Sequence, residues 1–346
     1  QEWNVDSRTR IDKSGDNDQV DPSQRTTIGA TWGGSNWGIH SSTEVNYGLN
    51  GGEPVQLSVY EAYASTDVLG YASMTIGRQA LDYGSGLVMG SNQWGDGTAA
   101  NRNTRDGMTF GLDLDVADVT LGYSARMDDL ADGNGAAGWF MNAGKSDGDW
   151  TANLLYGSQS ATVAGVEGDD FTFMGLDLGY TVSGVDLSLS HNTTDDGTTD
   201  MDMTMIGAAY NVNDQMSIHA SRTTYGENGF ELGGSNYGLS GTDSWMSHGN
   251  MGYLTADDER MSYGGSYSVG DFSLSATIHA VTDSEDSEHD RGATEFSLGY
   301  SLNDNASLSL NMATDATEAN DGTGGGAIAA ATDEAKYMWI TLNIRP

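Results

Sequence analysis

The chain is built from segments of about ten residues that alternate apolar and polar side chains, and each segment ends at a turn. In the segment DFSLSATIHA at 271–280, Phe272, Leu274 and Ile278 share one face, while Ser273 and His279 lie on the other. This period of two predicts a β-strand with one apolar and one polar face. No apolar run approaches the roughly 18 residues that a transmembrane helix needs.

The connections between these segments alternate between short and long. Turns such as DVAD, NVND and LNDN are short, and the long polar segments lie at 12–24, 81–106, 159–169, 224–257, 283–292 and 315–334. Short turns at one end of a meander and long loops at the other are typical of outer-membrane barrels, with the turns periplasmic and the loops extracellular. The alternation therefore predicts an all-β fold, a single transmembrane antiparallel up-and-down β-barrel spanning residues 1–346.

The predicted barrel has about 18 strands, from a first strand near Trp3–Ile11 to a last strand at Lys336–Arg345. An even number of strands places both ends of the chain on the periplasmic side. The first strand and the segment 224–257 are the weakest assignments, so a count of 16 strands stays open.

The polar face of the strands consists mainly of Ser, Thr, Gly, Asn and Asp, and the apolar face carries almost no charge. Because roughly 18 strands enclose more space than side chains can fill, this pattern predicts a water-filled lumen and a lipid-facing outer wall. Tyrosines that precede the short turns are then predicted to form an aromatic girdle at the membrane boundary: Tyr180, Tyr210, Tyr267 and Tyr300. The alternative is that these tyrosines cover the edge of a soluble sandwich.

The charge of the chain excludes several classes of function. With 50 acidic and 14 basic residues, the formal net charge of −36 argues against nucleic acid as a partner. The absence of cysteine excludes a disulfide scaffold and a thiolate metal site.

The chain begins at Gln1 rather than Met, as expected of a mature exported protein, and we expect it in the outer membrane of a Gram-negative bacterium.

The longest stretch that does not alternate is Gly77–Gly107, and it contains several of the scarce cations. A loop of this length is unusual unless it has a function, so the segment 81–106 is predicted to fold into the lumen and narrow it. The predicted constriction residues are Arg78, Arg102, Arg105, Asp96 and Asp106. The alternative is an ordinary surface loop whose arginines pair with neighbouring acids.

The parity of the strands also predicts which charged side chains line the pore. These residues are Arg8, Arg10, Glu44, Asp113, Asp115, Arg126, Asp177, Asp186, Arg260 and Glu295. Opposed charges across a narrow pore decide which ions pass.

A family resemblance rests on an ordered set of short motifs in this region: Gly-Arg-Gln, Tyr-Gly, Gly-x-x-x-Trp and Arg. The residues that carry it are Gly77, Arg78, Gln79, Tyr83, Gly84, Gly90, Trp94 and Arg105. Over residues 56–114 the chain resembles the outer-membrane alginate-export channels and related porin-like barrels. The resemblance implies a channel of roughly 18 strands whose loops shape a selective pore. Those polyanion exporters line their pores with many arginines, and this chain offers few, so alginate is not the expected solute.

Candidate catalytic and metal-binding patterns are weak. His219 with Ser221, and His40 with Ser42, have a spacing that resembles outer-membrane phospholipases, whose pair faces lipid. His219 and Ser221 lie opposite Met216, Ile218 and Ala220 and so face the lumen, and no enzyme activity is predicted. The acidic loops at 12–18, 195–202 and 283–290 lack the spacing of an EF-hand. We therefore predict no cofactor and no defined metal site, with loosely bound Ca²⁺ possible at these loops.

The sequence thus predicts an outer-membrane porin, a passive diffusion channel for ions and small hydrophilic solutes that is general or mildly cation-preferring. Its expected partners are membrane lipid, lipopolysaccharide and the solutes, with a homotrimer or a surface-layer partner left open. The alternative is a structural or adhesive barrel whose acidic extracellular loops bind a surface partner.

Overall fold

The fold is a closed antiparallel β-barrel of 18 strands. The computed structural model describes residues 2–14, 20–51, 54–91, 104–129, 134–163, 166–230, 254, 256–283, 290–315 and 335–345. The strands are β1 (Glu2–Ser14), β2 (Asp21–Gly33), β3 (Trp37–Gly48), β4 (Gln56–Val68), β5 (Ala72–Gln79), β6 (Arg105–Asp113), β7 (Asp118–Asp129), β8 (Asn134–Asp147), β9 (Trp150–Val163), β10 (Val166–Val182), β11 (Val185–Asp195), β12 (Asp200–Asn213), β13 (Met216–Tyr225), β14 (Asp258–Val269), β15 (Phe272–Asp283), β16 (Arg291–Asn303), β17 (Ala306–Asp315) and β18 (Ala335–Ile344).

Every strand pairs with its neighbours in the chain, and β1 closes the barrel by pairing with both β2 and β18. This topology confirms the predicted up-and-down barrel and its 18 strands, so the count of 16 is excluded. Among the described residues, no helix is long and apolar enough to cross a membrane.

The long connection predicted at 159–169 is wrong. Strand β9 runs to Val163 and β10 begins at Val166, so the two strands pair almost to their tips, with a bulge between Glu167 and Asp170. The residues in this stretch are polar because they extend beyond the apolar band, but a polar side chain does not stop the backbone from pairing. The loss of apolar residues therefore shows where the lipid-facing band ends, and the strands continue beyond that point.

The two faces of the wall differ as the alternation predicts. Along β15, Phe272, Leu274 and Ile278 are exposed on the outer face, whereas His279 points inward and is buried. The predicted girdle residues Tyr180, Tyr210, Tyr267 and Tyr300 are all exposed on the outer face near the short turns. Tyr180 lies opposite Trp150 in the register, and the Tyr300 ring is 4.6 Å from that of Phe272.

The height of the wall is uneven. Strands β5 and β6 have 8 and 9 residues, while β4 and β7 beside them have 13 and 12. A transmembrane strand needs about 9–11 residues, so β5 and β6 only just reach the required length. The connection that follows β5 turns into the interior of the barrel.

Candidate pore and its narrowing

Residues 80–91, which follow β5 and which we call the inserted segment, lie inside the barrel. The amide of Ser85 donates a 2.9 Å hydrogen bond to Oδ2 of Asp177 on β10, and its hydroxyl lies 3.3 Å from that of Ser190 on β11. Both partners are on the inner face of the wall, so the inserted segment narrows the lumen from within.

Local hydrogen bonds hold the inserted segment in a compact turn. Tyr83 and Met89 join their backbones through a 3.0 Å bond, and the Asp82 carboxylate accepts bonds from the amide and the hydroxyl of Ser91. Gly84 has a φ of +58°, and a Cβ at this position would overlap the Asp177 carboxylate. Only glycine allows both this backbone conformation and this close approach.

An apolar cluster fixes the inserted segment against the wall. Phe171 and Phe173 of β10 point into the lumen and are 0% and 1% exposed. They pack with inward residues of neighbouring strands and with the inserted segment: Leu81, Val88, Met89, Phe140, Leu155, Met203, Tyr225 and Phe230. The Tyr83 ring lies 5.3 Å from that of Phe140, and burial raises the pKa of Tyr83 to about 12, so this phenol is neutral at physiological pH.

The wall next to the chain ends carries inward arginines. Arg8 of β1 lies directly opposite Arg25 of β2, and Arg10 forms a 2.7 Å ion pair with Asp12. The Arg10 guanidinium also stacks 4.9 Å above the Trp339 ring. These arginines are buried among other inward side chains, so protein groups surround their charge more than water does.

A second group of inward charges lies on β14 to β16. Arg291 pairs with Asp258 at 3.3 Å, with both side chains fully buried, and Arg260 donates a 2.8 Å bond to the Thr223 hydroxyl. The Arg291–Asp258 pair joins β14 and β16 across β15, and neither of its ions can be left unpaired at low cost in a buried position.

Two rows of polar groups have the order hydroxyl, imidazole and carboxylate. His279 is 2.8 Å from the Ser262 hydroxyl and 3.2 Å from Glu295. His40 repeats this arrangement, 2.8 Å from the Thr31 hydroxyl and 3.5 Å from Glu61. Each row crosses three adjacent strands. The inward side chains of Ser262 and His279 are buried by their neighbours, so the first row has no room for a substrate. It holds the three strands together.

The lumen is open in the half next to the short turns. Here the inward side chains of Asp186, Ser188, Ser273 and Ser275 are exposed to solvent. His219, also inward, is exposed and lies 3.4 Å from the Thr277 hydroxyl, so the histidine and serine of that pair face the lumen as predicted. The inner surface is therefore wet at one end and closely packed near the inserted segment.

Most predicted pore-lining residues have inward positions in the register: Arg8, Arg10, Glu44, Asp113, Asp177, Asp186, Arg260, Glu295 and, from the constriction set, Arg105. Asp115 instead lies in the turn between β6 and β7, where its carbonyl accepts a 2.8 Å bond from Lys145. Arg126 lies in β7, but its side chain is outside the described part of the structure, as are Asp96 and Arg102.

Arg78 and Asp106 differ from the prediction. They lie opposite each other on β5 and β6 with the parity of Ile76 and Met108, so they are on the outer face. The guanidinium makes 2.9 and 2.6 Å bonds to the two carboxylate oxygens. Because β5 runs to Gln79 and β6 begins at Arg105, the loop ends earlier than predicted, and Arg78 and Asp106 belong to the wall and not to the constriction.

Sequence reasoning missed Arg25, Arg291 and the apolar cluster in the lumen. The parity of QRTTIGATW, which sets Arg25 opposite Ile28, would have found the first. Phe171 and Phe173 share the parity of the inward Asp177, so the pattern gives their direction, but it does not indicate that apolar side chains would cluster inside a polar lumen.

The acidic hairpin at 195–202 uses a carboxylate to hold its turn. Asp196 accepts hydrogen bonds from the hydroxyl and amide of Thr198 and from the amide of Thr199, and these bonds lower the pKa of Asp196. Within the described ranges, no group of three or more His, Asp or Glu residues could hold a metal ion.

Comparison with solved structures identifies the fold. The chain is similar to OccK8 (OprE) of Pseudomonas aeruginosa, with a TM-score of 0.70, 12% identity and coverage of 99% of this chain and 97% of the other. It is also similar to the outer membrane protein OprD of the same organism (TM-score 0.66, 12% identity, 99% and 93% coverage). A third similar structure is OccAB2 of Acinetobacter baumannii, with a TM-score of 0.68, 12% identity and coverage of 99% of this chain and 97% of the other.

These similarities show that the chain has the fold of an outer-membrane β-barrel, and the neighbours are porins rather than enzymes. No family model matches the chain, and no curated protein matches it. The resemblance to alginate-export channels is not among these findings and stays a prediction.

Proposed function

We propose that the chain is an outer-membrane porin of a Gram-negative bacterium through which ions and small hydrophilic solutes diffuse passively. The observation that carries this proposal is the wet half of the lumen, where the inward side chains of Asp186, Ser188 and Ser275 are exposed to solvent. A barrel that served only as an anchor would have no need for a polar, water-accessible interior. Its structural neighbours are outer-membrane porins, which supports the same conclusion.

The proposed narrow part of the pore lies between the inserted segment, which is held against β10 and β11, and the inner faces of β1 and β2 on the other side of the barrel. The wall on the side of β1 and β2 carries polar and charged groups. A passing solute would lose most of its water at this point, so the groups around it would decide which solutes pass.

A mild preference for cations follows from which charges meet water. The inward arginines Arg8, Arg10 and Arg25 are buried, whereas the carboxylates of Asp113 and Asp186 are exposed near the short turns. Ions in the water-filled half of the lumen therefore meet carboxylates first. The net charge of −36 acts in the same direction.

The second candidate is a structural or adhesive barrel whose acidic extracellular loops bind a surface partner. One observation favours it: the apolar cluster around Phe171 and Phe173 fills part of the lumen with side chains that exclude water. If that cluster and the inserted segment together close the pore, the barrel would not conduct.

Single-channel recording in a planar bilayer separates the two candidates. The purified barrel, checked by heat-modifiable gel migration, should give ohmic conductance and a reversal potential that indicates a weak cation preference under a KCl gradient. Liposome swelling with neutral sugars would give the upper size of the solutes. A heat-modifiable barrel that neither conducts nor allows swelling would contradict the porin and favour the adhesive barrel.

The proposed surroundings of the barrel follow from its faces. Membrane lipid and lipopolysaccharide would cover the outer wall, and the acidic loops at the long-loop end would bind Ca²⁺ loosely as a bridge to neighbouring anionic headgroups. No bound cofactor is required for diffusion through the pore.

A further inference from the structure

A groove of about 580 Å³ lies on the outer face of β10 to β14, and we call it the outer groove. Its floor is formed by Ala208 of β12 and Ala220 of β13, which are directly opposite each other in the register. Larger outward side chains stand on both sides of this floor, Leu187 and Leu189 on β11 and Met261 on β14. Because alanine is much shorter than leucine or methionine, the depression follows from the sequence of these strands.

The outer groove is suited to a hydrocarbon chain. Its outward lining side chains are apolar or aromatic apart from Arg222, and the wall around them faces lipid. An acyl chain that lies on Ala208 and Ala220 contacts protein beneath it and on both sides, whereas a chain on a flat part of the wall contacts protein on one side only. Since dispersion energy grows with the number of close atom pairs, the groove favours a chain held in one position.

Arg222 lies at the end of the groove toward the long connections. Strand β13 runs from Met216, next to a short turn, to Tyr225, so Arg222 follows Ala220 in the direction of the long-loop end. Its guanidinium donates a 2.6 Å hydrogen bond to Glu259, which lies two register positions nearer that end than Arg222 does. The side chain therefore extends along the wall toward the lipid headgroups, as long cationic side chains do near a membrane boundary.

The Arg222 guanidinium has hydrogen-bond donors left for a second anion. Within the described ranges its hydrogen-bond partner is Glu259, which takes one bond. Arg78, an outward arginine on β5, instead gives two bonds to Asp106 and a third, at 3.4 Å, to the Val59 carbonyl. The Arg222 side chain is 48% exposed, so its remaining N–H groups are accessible from the membrane. A phosphate group accepts hydrogen bonds in pairs from a guanidinium.

We propose that the outer groove binds lipopolysaccharide, with one acyl chain on Ala208 and Ala220 and a phosphate of the lipid A headgroup at Arg222. Lipopolysaccharide joins saturated acyl chains to a phosphorylated sugar, so it supplies the chain and the phosphate in one molecule. Arg222 lies toward the long-loop end, which is the extracellular side of such a barrel, where lipopolysaccharide forms the leaflet. The proposal rests on the outer-membrane location of the barrel and not on the passage of solutes.

The two residues of the outward ion pair have different parts in this site. A charged side chain on the lipid face of a barrel is destabilising, and pairing with Glu259 still leaves Arg222 half exposed. A phosphate would bring a second opposite charge to Arg222. Glu259 keeps the guanidinium in position, but its negative charge repels the phosphate. Removing the charge of Arg222 and removing that of Glu259 should therefore have opposite effects on lipid binding, whereas a purely structural ion pair would respond in the same way to both.

Native mass spectrometry tests the site on the full chain, refolded in detergent so that it carries no bacterial lipid, with bisphosphorylated lipid A as the probe. We expect one tightly bound lipid A per wild-type chain. Arg222→Gln should weaken binding by at least about tenfold, because a hydrogen bond between charged groups is lost, and Glu259→Gln should strengthen it. Arg78→Gln, which removes an outward arginine elsewhere on the wall, is the matched control and should bind like the wild type.

Each variant is first checked for heat-modifiable gel migration. A wild type that binds no lipid A, an Arg222→Gln chain that binds as the wild type does, or equal weakening by Arg222→Gln and Glu259→Gln would overturn the proposal. Phosphatidylglycerol that binds as tightly as lipid A would also overturn it, because the site would then recognise any anionic lipid.

Filling the groove tests the acyl chain separately from the phosphate. Ala208→Leu and Ala220→Leu place on the floor apolar side chains that a lipid-facing wall tolerates, and Ala276→Leu, outward on β15 and outside the groove, is the matched control. We expect the first two variants, and not the control, to bind lipid A severalfold more weakly. Equal affinities of all three variants would contradict the site. Conductance is recorded separately, so a barrel that binds lipid A and does not conduct would contradict the porin function and support this site.

Discussion

The amide of Ser85 donates a 2.9 Å hydrogen bond to Oδ2 of Asp177, a residue 92 positions away in the chain. This bond joins the tip of the inserted segment to the inner face of β10. Because the acceptor is a carboxylate and not a neutral oxygen, the bond is among the stronger ones a backbone amide can make. It identifies Asp177 as the wall residue that holds the inserted segment in the lumen.

Asp177→Ala should therefore narrow the pore. Loss of a hydrogen bond to a charged group costs about 1.5–3 kcal/mol, enough to let the inserted segment leave the wall and extend farther into the lumen. We expect slower liposome swelling with neutral sugars, a measurement that the lost negative charge does not influence directly. Asp186→Ala is the matched control, because Asp186 is inward but bonds to Thr181. Equal swelling rates for the two variants would show that Asp177 does not hold the segment.

Two glycines of the inserted segment allow the effect of contact with the wall to be separated from the effect of backbone strain. Gly84 and Gly86 have φ values of +58° and +75°, so alanine is strained at both. At Gly84 a Cβ would overlap Asp177, whereas at Gly86 its nearest neighbour would be Cα of Gly90 at 3.8 Å. We expect Gly84→Ala, and not Gly86→Ala, to change the single-channel conductance. The same conductance change in both variants would assign the effect to strain and not to contact with the wall.

The apolar cluster in the lumen should contribute strongly to stability. Phe173 is 1% exposed and packs against Phe140 and Leu155, so Phe173→Ala should lower the free energy of unfolding by about 3–5 kcal/mol. Phe296→Ala on the outer wall is the control, and its cost should be smaller because lipid can fill the space that the ring leaves. Urea unfolding in lipid vesicles measures both. A cost for Phe173→Ala no larger than that of the control would mean that the cluster is not tightly packed.

The alternation of residues was sufficient to predict the fold. Strand number, closure, the outward Tyr180 and Tyr300, and the inward Asp177 and Glu295 all follow from a period of two together with the turn positions. This succeeded because lipid and water impose opposite preferences on the two faces of each strand.

The arrangement inside the lumen could not be predicted in the same way. Nothing in the local sequence couples Ser85 to Asp177, because the contact depends on how a loop packs after the barrel has closed. Phe171 and Phe173 are inward because the inserted segment supplies apolar partners, which reverses the usual polarity of the lumen. Arg78 was assigned to the constriction because it lies in the stretch Gly77–Gly107 that does not alternate, yet an ion pair with Asp106 lets it remain in the outer face of the wall.

Arg105 and Arg78 test whether the ion preference depends on which face an arginine occupies. Arg105 has the inward parity of Thr109 and is 8% exposed, whereas Arg78 points outward and pairs with Asp106. Removing a cation from the lumen increases the influence of the remaining carboxylates, so Arg105→Gln should shift the reversal potential under a KCl gradient toward stronger cation preference.

Arg78→Gln is the matched control for this measurement, since it removes the same charge from the outer face of the adjacent strand. Its reversal potential should equal that of the wild type, because water and protein separate the outer face from the ion path. Equal shifts for the two variants would show that the reversal potential reports the overall charge of the barrel and not the charges that line the pore.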